Sequence, residues 1–209
     1  MRHKLRLFNL ILIVVFIFSF TACTIPKTAK EATAPGTTAQ SAIENDEYNI
    51  GETGPAGGII FYVNPNYETD GWRYLEAAPE DQSTEIQWYN GRHLPMGATA
   101  TAVGTGEANT QTIVNIQGTG SYAAQRCNDL SLGGCSDWFL PSKDELGLMH
   151  ENLYLKGLGG FESDYYWSSS ESLVYDAWPH VLYFAPLDSE ITILKDAHYG
   201  YRVRAVRAF

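Results

Sequence analysis

Three pairs of carboxylates stand close together in this chain: Asp144 with Glu145, Glu162 with Asp164, and Glu171 with Asp176. Two such groups converging on one cleft, with their pKa values pushed apart, are the machinery of glycoside hydrolysis. Asp144 and Glu145 have a simpler reading. They follow Leu140-Pro141-Ser142, and Ser142 with Glu145 three positions on has the spacing of a helix capping box. Asp144 then suits the positive end of the helix dipole. The other two pairs fall in expected loops. As oxygen ligands they leave room for a structural Ca²⁺, although no loop has regular ligand spacing. His93, His150, His180 and His198 show no metal-binding spacing, so no metal site is assigned and no other cofactor is expected. No Gly-x-Ser-x-Gly elbow precedes a helix, and Gly104-Thr105-Gly106 lacks the Lys-Ser/Thr of a phosphate loop. No catalytic residue is assigned.

Aromatic residues are the stronger clue. The chain holds 5 Trp and 13 Tyr, and aromatic faces stack on sugars and anchor protein contacts. Trp88, Tyr89 and His93 lie in a loop-rich stretch and are expected to face a ligand. Trp178 and His180 share a parity on an expected strand, hence one face. Trp138 and Trp167 are expected in the core. Arg204 and Arg207 are expected to pair with core-edge carboxylates such as Glu171.

The first residues set the compartment. Arg2, Lys4 and Arg6 precede an apolar run at residues 10–18, and Phe20-Thr21-Ala22-Cys23 closes it. A basic head, a short apolar core and small residues make a secretory leader. The run is shorter than the roughly 20 apolar residues of a membrane span. The last four residues resemble the lipobox of bacterial lipoproteins, with Phe20 in place of the usual Leu, so Cys23 is the expected lipidation site and acyl chains the expected membrane anchor. Residues 23–47 are rich in Thr, Ala, Pro and Ser without apolar periodicity and read as a flexible tether. Residues 48–209 are long enough for one domain with its own core.

Losing three positive charges with the leader takes the net charge from −10 to −13. Such a chain is repelled by phosphate backbones, which makes nucleic acid a poor partner. Cys127 and Cys135 remain in an oxidising compartment, and a disulfide between them is expected, closing a loop of about eight residues.

The residues that must position these groups read as follows. Ile59 to Val63 is a β-prone run, and residues 72–78 return as its hairpin partner. Residues 87–89 suggest a short strand. A helix capped by Asn109 or Thr110 runs to Ile116, another spans residues 121–130, and a third opens at Ser142 with Leu146, Met149 and Leu153 on its apolar face. Strands are expected at 165–168, 177–184, 190–195 and 201–209. Strands, then helices, then strands again predict an α+β fold with a mostly antiparallel sheet and two to three short helices.

Several motifs in order resemble the Lcl C-terminal domain family, formerly a domain of unknown function, named for a collagen-like bacterial adhesin. They are Ile50-Gly51-Glu52-Thr53-Gly54-Pro55-Ala56-Gly57-Gly58, Gly104-Thr105-Gly106 with Asn109-Thr110, Ser136-Asp137-Trp138-Phe139-Leu140-Pro141-Ser142 with Glu145-Leu146, Tyr166-Trp167-Ser168-Ser169-Ser170-Glu171, and Val203-Arg204-Ala205-Val206-Arg207. The resemblance spans residues 48–209 and implies a C-type-lectin-like fold of the formylglycine-generating-enzyme branch. There Trp138, Pro141, Ser142, Glu145, Trp167, Glu171 and Arg204 would be structural, and the strand at Ile59 would pair with the terminal strand near Arg204. The copper-binding late cysteines of that branch's oxidases have no counterpart after Cys135. The calcium motifs of sugar-binding C-type lectins are also absent. The resemblance implies extracytoplasmic recognition of a surface, glycan or matrix ligand by a non-enzymatic module at the cell envelope, on the outer membrane or cell surface. The alternatives are an envelope hydrolase or oxidase on the same scaffold, and a structural assembly protein of the envelope.

Overall fold

Ile60 and Phe61, in the middle of the Gly-Gly-Ile-Ile-Phe run, are fully buried, so this β-prone segment begins the core. The computed structural model describes residues 47–91, 95–172, 179–184, 189–192 and 200–209, with the backbone alone for 179–181 and 189–192. The expected leader, Cys23, almost all of the tether, His93, Asp176, Trp178 and His198 lie outside the described residues.

Strand β1 (Ile59–Val63) pairs antiparallel with β2 (Tyr74–Ala77), and the loop between them carries one turn of helix, α1 (Tyr67–Asp70). The other edge of β2 takes the last strand, β8 (Val206–Ala208), giving the order β1-β2-β8. The expected direct pairing of the Ile59 strand with the terminal strand is therefore corrected: β2 lies between them. Its four residues are all buried, which suits a central strand, and the hairpin claims β1 first. The ends of the domain still meet, because the Tyr48 ring packs edge-on against Phe209 at 5.7 Å.

A second sheet has the order β3 (Ser83–Ile86), β7 (Tyr201–Val203), β4 (Tyr165–Glu171), β5 (Pro179–Tyr183), β6 (Ser189–Thr192). All its pairings are antiparallel except β4 with β7. The strand expected over residues 201–209 is thus divided. Its first half belongs to one sheet and its second half to the other, with Arg204 and Ala205 at the crossing. The strand expected at residues 87–89 forms instead at Ser83–Ile86.

Between β3 and β4 along the chain come α2 (Gly106–Gln117), α3 (Ala123–Asn128) and α4 (Lys143–Asn152), the last followed by a turn of 3₁₀ helix at Tyr154–Lys156. The class is α+β with mainly antiparallel sheets, as expected, and α1 adds one short helix to the two or three anticipated. The helix expected to be capped by Asn109 or Thr110 starts earlier, at Gly106. Asn109 and Thr110 are buried inside it, where Thr110 Oγ1 donates to the Gly106 carbonyl at 2.8 Å. Helix α4 begins as read: Ser142 Oγ accepts from Glu145 N at 3.3 Å, and Ser142 N donates to Glu145 Oε2 at 2.7 Å.

One large core cluster gathers Trp88, Ile113, Tyr122, Trp138 and Trp167. Another gathers Phe61, Leu75, Leu146, Met149 and Phe184 around α4. The expected bridge between Cys127 and Cys135 is corrected: Cys127 is a free thiol, fully buried in the first cluster. The inner face of α3 turns its sulfur into the core, whereas Cys135 is fixed in a tight turn by reciprocal backbone hydrogen bonds with Leu132, each 3.0 Å.

Candidate functional site

Of the aromatic set expected to face a ligand, only Trp88 and Tyr89 have described side chains, and both pack against the core. Trp88 is fully buried, and its Nε1 donates to the Ser168 carbonyl at 2.8 Å. Tyr89 is half-buried against the same core. The residues share a sequence signal that points inward: Ile86 and Trp88 alternate, and both are buried. Of His180 only the backbone is described, opposite Thr192 on β6. An aromatic stripe does cross β5, β4 and β7. The Tyr165 ring lies 4.7 Å from Tyr183 and 5.1 Å from Tyr201, all three half-buried.

The motif residues carry structure. Trp138 and Trp167 are core, and Trp167 Nε1 donates to the Ile86 carbonyl. The Pro141 carbonyl accepts from Ser169 N at 2.8 Å. Glu171 does not pair with either C-terminal arginine; its carboxylate accepts from Met96 N at 2.8 Å and Ala98 N at 3.2 Å. Arg204 donates instead to Asp81 at 2.7 Å and to the carbonyls of Ala78 and Gly159, over the Phe161 ring at 4.0 Å. Arg207 pairs with Glu76 at 2.9 Å and Asp137 at 2.6 Å.

Glu145 has the most perturbed carboxyl. Burial pushes its pKa up to about 7, while the amides of Ser142, Gly104 and Gly106 pull it down. Gly104 N donates to Oε1 at 2.7 Å and Gly106 N at 3.4 Å. The N-cap residue of α2, Thr105, contributes no side-chain cap, so one carboxylate serves the starts of both α2 and α4. It is sealed in protein. Glu76 is also raised by burial, against the pull of Arg207, and is fully buried. Neither carboxyl has a second one beside it in an open cleft, which is what acid–base chemistry needs.

An open cleft lies elsewhere. Residues 79–82 form one wall, and the end of α3 with residues 129–132 forms the other, around a cavity of about 540 Å³. A side pocket of about 130 Å³, reaching Gly120 and Ser121, shares Arg126 and Asp129 with it. The walls are held from behind. Asp81 is clamped by Arg202 at 2.9 Å and Arg204 at 2.7 Å, and Gln82 N donates to the Val203 carbonyl at 2.8 Å. Gln125 Nε2 donates to Asp129 Oδ1 at 2.7 Å, across the end of α3. Pro79, Leu130 and Leu132 give apolar lining, while Glu80, Arg126 and Asp129 are exposed charges at the rim. An apolar lining with a few placed polar groups is the usual build of a ligand site.

Arg126 is distinctive. Arg73, Arg202, Arg204 and Arg207 all hold ion pairs, whereas the Arg126 guanidinium has none among the described residues. The sequence offered no sign of this, because one arginine on a six-residue helix says nothing about which carboxylates the fold has already used. Among the described residues no group of three or more His, Cys, Asp or Glu is placed to hold a metal ion. None of their helices is long and apolar enough to cross a membrane.

No family model matches the chain, and no curated protein does. Among solved structures it is similar to a fimbrial protein from Bacteroides ovatus ATCC 8483, at 14% identity and a TM-score of 0.48. That likeness covers 70% of this chain and 38% of the other.

Proposed function

We propose that this chain is a lipid-anchored binding module of the bacterial cell envelope, attached through Cys23 and recognising a surface, glycan or matrix ligand outside the cytoplasm. The lipobox-like Phe20-Thr21-Ala22-Cys23 behind a basic, apolar leader supports the anchor. The resemblance to the Lcl C-terminal domain family and its C-type-lectin-like fold supports recognition. The single observation that carries the binding role is the open cleft with an uncommitted guanidinium at its rim. An envelope hydrolase would need converging carboxyls, and the two raised ones, Glu76 and Glu145, each serve a sealed structural site.

Two measurements test this. Radiolabelled palmitate is expected to enter the chain and to be lost in Cys23→Ser; an unlabelled chain with an intact leader overturns the anchor. The purified full chain in detergent is expected to bind on glycan or matrix-protein arrays, and Arg126→Gln to weaken that binding. Clean negatives on both arrays overturn the reading of a glycan or matrix ligand.

A further inference from the structure

We infer that the cleft takes a short zwitterionic peptide, with Arg126 holding its carboxylate and Asp129 and Glu80 its ammonium group. This rests on the cleft being a ligand site. Four charged groups line the cavity: Glu80, Asp81, Arg126 and Asp129. Asp81 is spent, since Arg202 and Arg204 both pair with it. Three charges remain, one positive and two negative. Arg126 and Glu80 have no side-chain partner among the described residues, and Asp129 has only a neutral one, the Gln125 amide.

The signs decide the ligand class. A sulfated or polyanionic chain would meet two unneutralised carboxylates for every guanidinium, within a domain that is already strongly acidic. A purely cationic ligand would leave Arg126 facing like charge. A neutral saccharide would draw no charge-assisted contact from a partner of opposite sign at any of the three. A ligand carrying both signs can use all three charges at once, and the planar guanidinium fork matches a terminal carboxylate in two parallel hydrogen bonds.

The dimensions agree. Arg126 and Asp129 are three residues apart, with Asp129 still in helical geometry as the C-cap, so their side chains start on neighbouring positions about 5–6 Å apart. The termini of an extended tripeptide stand up to about 10 Å apart, and the long Arg126 side chain on the α3 wall and Glu80 on the facing wall offer charges of the two signs that it carries. A volume of about 540 Å³ accommodates such a peptide, and Pro79, Leu130 and Leu132 provide apolar contact for its small side chains.

The test is a titration calorimetry cycle on the full chain in detergent micelles. The probes are trialanine, N-acetyl-trialanine and trialanine amide; lactose and sialyllactose are the saccharide arms. Trialanine is expected to bind, and each capped form to bind roughly tenfold more weakly, the scale of one lost charge-assisted contact. In Arg126→Gln the preference for the free acid over the amide disappears while the preference for the free amine remains. In Glu80→Gln/Asp129→Asn the reverse holds. Near-identical circular dichroism and melting temperature show that the variants fold, as expected for exposed positions. Capped peptides binding as well as the free one, or Arg126→Gln weakening all three alike, overturns the inference. Arg126-dependent binding of a saccharide without peptide binding overturns it too, yet leaves the binding module standing. Failure of every probe overturns the inference, and together with negative arrays it removes the binding module as well.

Discussion

Arg207 stands directly opposite Glu76 in the β2–β8 register and donates to it at 2.9 Å, with both side chains fully buried. Glu76 also accepts from Gly58 N at 3.1 Å, so this pair ties the glycine loop before β1 to the last strand. Burial raises the Glu76 carboxyl and the guanidinium opposes that rise, so its charged form depends on Arg207. Removing one partner of such a pair leaves a buried charge without compensation. Arg207→Ala is expected to cost about 3–5 kcal/mol in urea denaturation. The double change Glu76→Leu/Arg207→Met is expected to recover most of it. A loss under 1 kcal/mol in the single variant would show that the pair does not hold the sheet.

Glu145 sets a pH dependence. Its carboxyl is raised in the folded chain from 4.5 to about 7. Between those values the folded protein holds a proton that the unfolded chain has released. The stabilisation is therefore fully present below about pH 4.5, is lost as pH rises toward 7, and is level beyond. The size is on the order of 3 kcal/mol. Melting curves from pH 4 to 9 should show this slope, and Glu145→Gln should flatten it. An equal slope in the variant would assign it to other groups.

Gly106 opens α2 against the same carboxylate. A Cβ there would run into Glu145 Oε2, with Ser142 N at 2.8 Å and Phe139 Cε2 at 2.9 Å. Two of these neighbours are a fixed backbone atom and a core ring, so they cannot simply move aside. Gly106→Ala is expected to cost about 1–3 kcal/mol despite the higher helix propensity of alanine. A stabilised variant in thermal melts would mean that the two helix starts are not locked together.

Cys127 is expected to be inert. Its thiol is fully buried, and desolvation pushes its pKa up, which removes the thiolate that reacts. Iodoacetamide should leave it unmodified in the native chain and label it in denaturant without prior reduction, read by peptide mass spectrometry. Labelling that needs a reductant would restore the bridge to Cys135.

Trp88 is expected to act on stability. Trp88→Ala should cost about 3–5 kcal/mol, as for other large core truncations. Trp88→Phe keeps most of the packing but leaves the Ser168 carbonyl without its indole donor, at roughly 1 kcal/mol. A stable, well-folded Trp88→Ala with altered ligand binding would return this residue to a surface.

Local chemistry was legible in the chain and tertiary accounting was not. The capping box at Ser142 and Glu145, the apolar face of α4 and the β1–β2 hairpin follow from spacing within a few residues, so they read correctly from the sequence. The second duty of Glu145 did not. The amides of Gly104 and Gly106 come from some 40 positions upstream, and only folding brings them to the same oxygen. Arg204 was expected to find Glu171, yet Asp81 lies nearer in space because β3 joins the sheet through β7, and Glu171 turns to backbone amides instead. Trp88, in a loop-rich stretch, was expected to face a ligand, but its indole fills the core beside Trp167 and Ile113. The sequence alone determined where most of the described helices and strands form, because their signals lie within a few residues of one another. The fold decided which charges neutralise one another, and so left Arg126 uncommitted, because pairing depends on distances that no spacing along the chain encodes.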